Sequence, residues 1–336
     1  MPNPPLSVLL PVRDGAVHLG DAIASMEGQV DPDFEVLAVD DGSEDGTHDL
    51  LREWAARDRR VRVVRTGPSG IVSALERARA LARGDLLARM DADDVAHPRR
   101  FALQREFMAG RAEVALCGCG VEYFPAEALG EGARRYEEWI NASLTHEEME
   151  REIFVECPVA HPTWVMRAET VDRVGGYRDA GWPEDYDLLL RLWAAGGRLG
   201  KVPEVLLKWR EGPHRLSRTG RRYTQDAFRR CKAHHLVATV VPEDRPVVVW
   251  GAGPVGKGFS RALRRLGRAP TAFVEVDPRK IGQEIHGAPV VDTEGGLARR
   301  GAFHLAAVAG PGPRARVRGL LEGAGFLEMR DFTAVA

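Results

Sequence analysis

The sequence predicts an α/β protein, built from a largely parallel sheet with helices on both faces and a second, smaller α/β domain. Three observations predict this. From Leu6 to Met90, short apolar runs alternate with segments of helical spacing. Three of these runs give way to loops rich in carboxylates. Further on, Val241-Pro-Glu-Asp-Arg-Pro246 reads as a linker, after which a similar alternation resumes. A chain of 336 residues is also long for one domain. The expected division is residues 1–240 and residues 246–336.

In order, Leu6–Val12 reads as a strand, and Leu19, Ile23 and Met26 set a helical spacing after it. Phe34–Val39 is a second strand, followed by the loop Asp40–Thr47 and a helix over His48–Arg57 with Leu50, Leu51 and Trp54 on one side. Val61–Val64 is a third strand and Ile71–Ala82 a helix that ends near Gly84. Asp85–Met90 is a fourth strand running into Asp91-Ala-Asp-Asp94. The segment Ala112–Thr163 carries a strand at Val114–Cys117 and a charged helix over Arg134–Glu152. A helix from Tyr223 to Val237 closes the first domain. Beyond the linker come a strand at Val247–Trp250, a Gly-rich turn, a helix to Leu266, a strand at Thr271–Val276 and another near His304–Ala309.

Composition excludes several classes. No apolar run is long enough to span a bilayer, and the N-terminal one is cut short by Pro11, Arg13 and Asp14, unlike a signal peptide. The cysteines Cys117, Cys119, Cys157 and Cys231 contain no C-x-x-C, so neither a zinc knuckle nor a disulfide framework is expected. A reduced cytoplasm suits them, at the inner face of a membrane if the substrate lies there. The 47 basic and 49 acidic residues nearly cancel, which excludes a global field for nucleic acid. The Arg-rich run Arg215–Arg222 is either a contact to a lipid-linked acceptor or a solvated face.

Ligands of open parallel sheets bind beyond the carboxyl ends of the strands, where the connecting loops face one crevice. Three acidic loops are expected there: Pro11–Gly15, Asp40–Thr47 and Asp91–Asp94. Three carboxylates within four residues repel unless a cation neutralises them, and their hard oxygens suit Mn2+ or Mg2+. The alternative is that Asp94 caps the helix after Pro98 and the others are solvated.

Taken together, Ser7-Val-Leu-Leu-Pro-Val-Arg-Asp14, Val39-Asp-Asp-Gly-Ser-Glu-Asp-Gly-Thr47, Ala82-Arg-Gly-Asp85, the Asp91 loop and Pro183-Glu-Asp-Tyr-Asp-Leu-Leu-Leu-Arg-Leu192 resemble, in order and spacing, the family-2 glycosyltransferases of GT-A fold. The resemblance runs over residues 5–215. It implies an inverting, metal-dependent transfer of a sugar from a nucleotide-diphosphate donor, a UDP-sugar first among them, to a hydroxyl of a glycan or lipid-linked acceptor. It implies that Pro11, Val12 and Arg13 line the nucleotide pocket, that Asp41 accepts from the nucleobase and that Asp40 is structural. Asp93 would be the metal ligand, Asp91 would lie near ribose or sugar, Asp94 would be a further metal candidate, and His214 would lie near the diphosphate or metal or be a structural histidine. Asp185 would be the general base beside Glu184, the alternative being an N-cap of the helix Tyr186–Trp193. His161 would lie on the acceptor side or be a structural histidine, and Trp182 would stack on an acceptor sugar or belong to the core. The family's first loop usually carries an aromatic and an asparagine where Arg13 and Asp14 stand, and Glu76 falls where it carries an asparagine.

Gly251-Ala-Gly-Pro-Val-Gly256 follows a strand and opens a helix, the setting in which G-x-G-x-x-G lets an anion approach a helix N-terminus. Glu275 or Asp277 ends the next strand, where an acidic residue would meet a ribose. With Asp277-Pro-Arg-Lys-Ile-Gly282 and His286-Gly-Ala-Pro-Val-Val291, this part resembles the small Rossmann-like domain beside sugar-modifying enzymes. It is a structural remnant or an NAD(P) site. Two rival functions follow: an NAD(P)-dependent sugar oxidoreductase or epimerase in the C-terminal domain, and a non-catalytic sugar-nucleotide binding protein.

Overall fold

A computed structural model describes residues 4–212 and 215–336, and the chain forms two compact units. The first comprises Met1–His146, Pro158–Ala180 and Glu184–Arg218; the second comprises Glu147–Cys157, Gly181–Pro183 and Thr219–Ala336.

The first unit is built on β1 (Leu6–Val12), β2 (Glu35–Asp41), β3 (Val61–Thr66), β4 (Leu86–Arg89), β5 (Val95–Ala96), β6 (Val114–Phe124), β7 (Val165–Arg167) and β8 (Arg198–Arg210). They form one eight-stranded sheet in the order β3-β2-β1-β4-β7-β6-β8-β5. The first four strands in that order are parallel, β7 is antiparallel to β4 and β6, β6 and β8 are parallel, and β5 runs against β8. Every residue of β2 is buried, as in a parallel strand covered on both faces. The helix Ala16–Glu27 buries Leu19, Ala22, Ile23 and Met26, one stripe at helical spacing, which fixes the face it presents to the core.

Because β1, β2 and β4 are parallel neighbours, Val12, Asp41 and Arg89 all finish on the same edge of the sheet. The opposite edge is locked by a buried polar knot. Ser7 Oγ donates to Glu35 Oε1 (2.8 Å) and accepts from Gly84 N (2.9 Å), while Arg83 Nη2 donates to Glu35 Oε2 (2.7 Å). Thus Arg83-Gly84-Asp85 sits where the strands begin, away from the acidic loops, and holds their starts in register.

The structure corrects two expectations. The charged helix over Arg134–Glu152 is two helices, Glu131–Ala142 and His146–Glu152. The Asn141 side chain clamps Val121, accepting from its N–H (2.9 Å) and donating to its carbonyl (2.8 Å), and Ser143 is already extended. The strand at Val114–Cys117 continues to Phe124, through Gly118 and Gly120, which look like breakers in sequence. Packing demands them: a Cβ on Gly118 would lie 2.2 Å from Val159 Cγ1, and one on Gly120 3.0 Å from the Glu204 carbonyl. Beside Gly120, β8 bulges at Pro203 and Glu204, so its long alternation is interrupted in sequence but not in the sheet.

The second unit contains β9 (Val247–Trp250), β10 (Ala272–Val274), β11 (Glu284–Ile285), β12 (Ala288–Val291), β13 (Phe303–Ala306) and β14 (Phe332–Ala334). Their order is β11-β12-β10-β9-β13-β14, all parallel except the β11–β12 hairpin. His304, fully buried on β13, receives Trp250 Nε1–H on Nδ1 (2.9 Å), and burial pushes its pKa down to about 4, so it packs as a neutral ring. Segment 147–157 joins this unit through ion pairs: Arg151 to Glu322 (2.6 Å) and Glu328 (2.8 Å), and Glu152 to Arg318. No helix among the described residues is long and apolar enough to cross a membrane.

Replacing Gly84 by Ala would set a Cβ 2.8 Å from the main chain of Leu6 and Ser7. Overpacking of this kind costs about 1–3 kcal/mol. Gly84→Ala is therefore expected to lower the urea midpoint without changing the slope, and an unchanged midpoint would show that the strand starts tolerate separation.

Candidate active site

The ends of β1, β2 and β4 carry the acidic loops, and hydrogen bonds join the first two. Asp14 N donates to Ser43 Oγ (2.9 Å), Gly15 N to Thr47 Oγ1 (2.8 Å), Ala16 N to Asp45 Oδ2 (3.0 Å) and Glu44 N to Asp14 Oδ1 (2.9 Å). Asp14 itself sits in the left-handed region (φ 48). A Cβ on Gly15 would touch Ala92 Cβ at 3.7 Å, so the third loop closes on the first.

Asp40 and Asp41 have different surroundings. Asp40 is turned into its own loop, accepting from Ser43 N (2.9 Å) with His48 Nδ1 at 3.0 Å. Asp41, also buried, accepts from Ser69 N (2.7 Å) and Ser69 Oγ (2.9 Å) on Oδ1 and from Gly70 N (2.8 Å) on Oδ2. It thereby fixes the entry to the helix Ile71–Leu81. Arg13, half-exposed, has Nη1 4.0 Å from the same Oδ2. Pro11 and Val12 lie in register with Val39 and Asp40.

One oxygen from each of Asp91, Asp93 and Asp94 lies within 4.8 Å of the others. Asp94 is fully buried; its Oδ1 accepts from Arg210 N (2.8 Å), but its Oδ2 has no hydrogen-bond partner among the described residues. Burial, then the neighbouring Asp91 charge, push the Asp93 carboxyl up to about 6 against the pull of Arg215 and Arg210. The same causes, with Asp93 added, raise Asp94 well above the carboxylate range. A buried, unpartnered hard oxygen among carboxylates that resist ionising together is what a divalent cation would satisfy, so these residues fit one.

Three arginines bring charge to this triplet: Arg89 and Arg210, which sequence reasoning did not place, and Arg215, which was expected on an acceptor-facing or solvated run but is turned inward with its side chain 16% exposed. Arg210 Nε donates to the Asp93 carbonyl (2.7 Å) and its Nη2 to Asp21 (2.9 Å). Arg215 lies 4.4 Å over the Trp209 ring, which stacks on Tyr123 (4.9 Å, 12°). Arg89, the last residue of β4, is buried with Nη2 2.5 Å from Asp91 Oδ1. Its signal was a charged residue ending an apolar strand just before the acidic loop.

Asp185 stands in the first turn of the helix Glu184–Ala194, with Oδ1 accepting from Tyr186 N (2.7 Å) and Oδ2 4.0 Å from His161 Nδ1. Glu184 is buried beside it. His161 Nε2 lies 2.9 Å from the Tyr177 hydroxyl, and burial, then the Arg89 charge, hold the imidazole far below its usual pKa, hence neutral.

The model of glycosyl transferase family 2 matches residues 7–175. The chain is a family 2 glycosyltransferase. EpsE of Bacillus subtilis is 28% identical over 233 residues, covering 67% of this chain and 79% of that protein. The amylovoran biosynthesis glycosyltransferase AmsE of Erwinia amylovora is 31% identical over 128 residues, 38% of this chain and 46% of that protein. Among solved structures, Staphylococcus aureus TarS 1–349 in complex with UDP-GlcNAc superposes with a TM-score of 0.58 at 14% identity, covering 79% of this chain and 73% of that one. The mannosyltransferase PcManGT of Pyrobaculum calidifontis, in complex with GDP-Man and Mn2+, gives 0.51 at 21% identity, covering 70% and 64%. The glycosyltransferase thus has the α/β, mostly parallel GT-A fold, with a second small sheet.

In this glycosyltransferase the first unit gathers Pro11, Val12, Arg13, Asp41, Asp91, Asp93, Asp94, His161, Glu184 and Asp185. Trp182 falls in the second unit, its ring 5.2 Å from His234, and His214 lies outside the described residues. Glu76 pairs with Arg79 (2.7 Å) and accepts from Tyr177 N (2.6 Å), so it supports the turn at Tyr177. In the second unit, Gly251 (φ 107) and Gly256 answer to packing: a Cβ on Gly256 would sit 1.9 Å from the Gly251 carbonyl. Gly253 opens on free space. Glu275 accepts from Ala252 N (3.2 Å) and pairs with Lys280 (2.9 Å), and Asp277 pairs with Arg279 (2.9 Å).

Asp94 with its pKa raised is a charge that the fold pays to ionise, a penalty that grows as pH rises above the ordinary carboxylate range and is relieved as pH falls. Asp94→Asn should therefore raise the melting midpoint of metal-free protein at pH 7.5, by roughly 2–4 °C per kcal/mol recovered. The gain should shrink towards pH 5; a variant less stable than the parent at both pH values would mean that the carboxylate is satisfied.

Proposed function

We propose that this glycosyltransferase performs an inverting transfer from a nucleoside-diphosphate sugar, with a UDP-sugar as the favoured donor, to a hydroxyl of a glycan or lipid-linked acceptor. The reading rests above all on the acidic triplet at the end of β4, with the buried, unpartnered oxygen of Asp94. UDP-GlcNAc in TarS, GDP-Man and Mn2+ in PcManGT, and amylovoran biosynthesis in the name of AmsE support the donor, metal and polysaccharide classes.

Asp93, with Asp94, would hold Mn2+ or Mg2+, which when bound neutralises charge on the leaving diphosphate. Asp41 keeps one acceptor position on Oδ2 for a nucleobase N–H, since that oxygen accepts only from Gly70. Pro11, Val12 and Arg13 line the nucleotide side, and Asp91 meets ribose or sugar hydroxyls. Asp185 Oδ2 takes the proton of the acceptor hydroxyl as its oxygen bonds to the anomeric carbon from the face opposite the diphosphate. The bond from that carbon to the phosphate oxygen breaks and the nucleoside diphosphate leaves. His161 beside Asp185 is neutral, so it adds no positive charge next to the base. Glu184 completes the acceptor side in this reading.

We assign the transfer to residues 1–240 and read residues 246–336 as a small Rossmann-like domain, on the strand order β12-β10-β9-β13-β14. Two of its glycines answer to packing and Glu275 is already bonded to the turn, which favours a structural role over an NAD(P) site. The enzyme would work in the cytoplasm, at the membrane face when its acceptor is lipid-linked.

Calorimetry with UDP, GDP, dTDP and CDP, with and without Mn2+, is expected to give metal-dependent binding of one nucleotide that Asp93→Ala abolishes. Asp185→Asn should then bind that nucleotide within about twofold of the parent while kcat falls by roughly 10²–10⁴. Binding of NAD+ alone, or transfer surviving in Asp185→Asn, would sink the proposal.

A further inference from the structure

Asp91 and Asp93 stand two residues apart in one acidic loop, yet their surroundings differ in one respect. Asp91 Oδ1 is held by a buried guanidinium, 2.5 Å from Arg89 Nη2. Asp93 and Asp94 have Arg210 and Arg215 only as more distant charge, and Asp94 Oδ2 has no hydrogen-bond partner among the described residues. Arg89 is itself immobile. It is 1% exposed, its Nη1 donates to the Met90 carbonyl, its N–H to the Trp164 carbonyl (2.8 Å), and its own carbonyl accepts from Arg100 Nη2 (2.7 Å). Arg100 is also buried and donates to Pro162 O (2.6 Å) as well. A rigid, always-charged fork therefore reaches one carboxylate of the three. Its Nε is buried with no partner among the described residues. Leaving such a donor unpaired costs stability, so packing alone does not account for an arginine where an apolar side chain would serve the core.

We propose that Arg89 is a positioning residue that divides the labour of the acidic triplet. It takes Oδ1 of Asp91 out of cation coordination and fixes that carboxylate as a rigid acceptor for hydroxyls of the donor. Asp93 and Asp94 are left to hold the cation. This rests on the metal reading proposed above. The order of roles along Asp91-Ala-Asp-Asp94 is then a consequence of which carboxylate the β4 arginine can reach. Removing the guanidinium frees Asp91 Oδ1 and deletes a nearby positive charge. Both changes favour a divalent cation, whereas a residue needed only for folding would lose cation binding when replaced.

The test measures Mn2+ alone, by loss of the free-ion electron paramagnetic resonance signal, on the full chain. Arg89→Gln is expected to tighten Mn2+ binding at least threefold. Asp91→Asn in the parent should change it by less than about threefold, and in the Arg89→Gln background should erase the gain, a coupling that a double-mutant cycle isolates. Arg89→Lys, which keeps the charge and the fold but loses the fork, should fall between parent and Arg89→Gln and serves in place of Arg89→Gln if that variant does not fold. Weaker Mn2+ binding in a folded Arg89 variant, or a gain that survives Asp91→Asn, overturns the proposal. If the parent binds no Mn2+, or Asp93→Asn leaves its binding intact, the metal reading itself fails and the division of roles falls with it.

Discussion

Crowding three carboxylates at the end of one buried strand is unfavourable unless positive charge is brought to them, and the surroundings of β4 are arranged to that end. Arg89 rises from the strand itself, Arg210 comes from the end of β8, and Arg215 follows on a stack of Trp209 and Tyr123. Even so, the compensation is incomplete, since Asp93 is raised to about 6 and one oxygen of Asp94 is unpartnered. Stability is held below its local optimum at the point where a cation and a diphosphate would complete the charge balance.

The same strand carries the constraint to the turn that holds His161. Arg89 N–H bonds the Trp164 carbonyl, and Arg100 bridges the Arg89 and Pro162 carbonyls, so the His161–Trp164 turn is fixed to the root of the acidic loop. His161 then meets Tyr177, and Tyr177 N–H is held by Glu76. Burial and the nearby Arg89 charge together keep the His161 imidazole neutral. A departure from the family's usual asparagine at Glu76 is thereby absorbed as scaffolding.

On the other side of β4, β1 and β2 finish in loops tied to each other by hydrogen bonds from the main chain of Asp14 to Ala16 and Glu44. Asp45 and Asp41 anchor the entries of two helices, through Ala16 N and through Ser69 and Gly70 N. Much of the acidity in these loops is thus spent on ordering backbone at the cleft edge, with the polar knot of Ser7, Glu35 and Arg83 holding the strands at their other end.

The alternation of apolar runs and helical stripes from Leu6 to Met90 determined the parallel core, and the acidic loops could be placed at the strand ends, because those signals are local in sequence. The interior of β6 was hidden by Gly118 and Gly120, and β8 by the bulge at Pro203, because the need for a bare backbone there comes from Val159 and Glu204, far along the chain. Nor does the linker at Val241–Pro246 reveal that segment 147–157 and the helix Gln225–Thr239 gather with the later strands. What Asp91, Asp93 and Asp94 each face was likewise set by tertiary structure. Side chains from β4, β8 and the residues after it converge on them, and electrostatic surroundings depend on distance in space, which three neighbouring letters in a sequence do not contain.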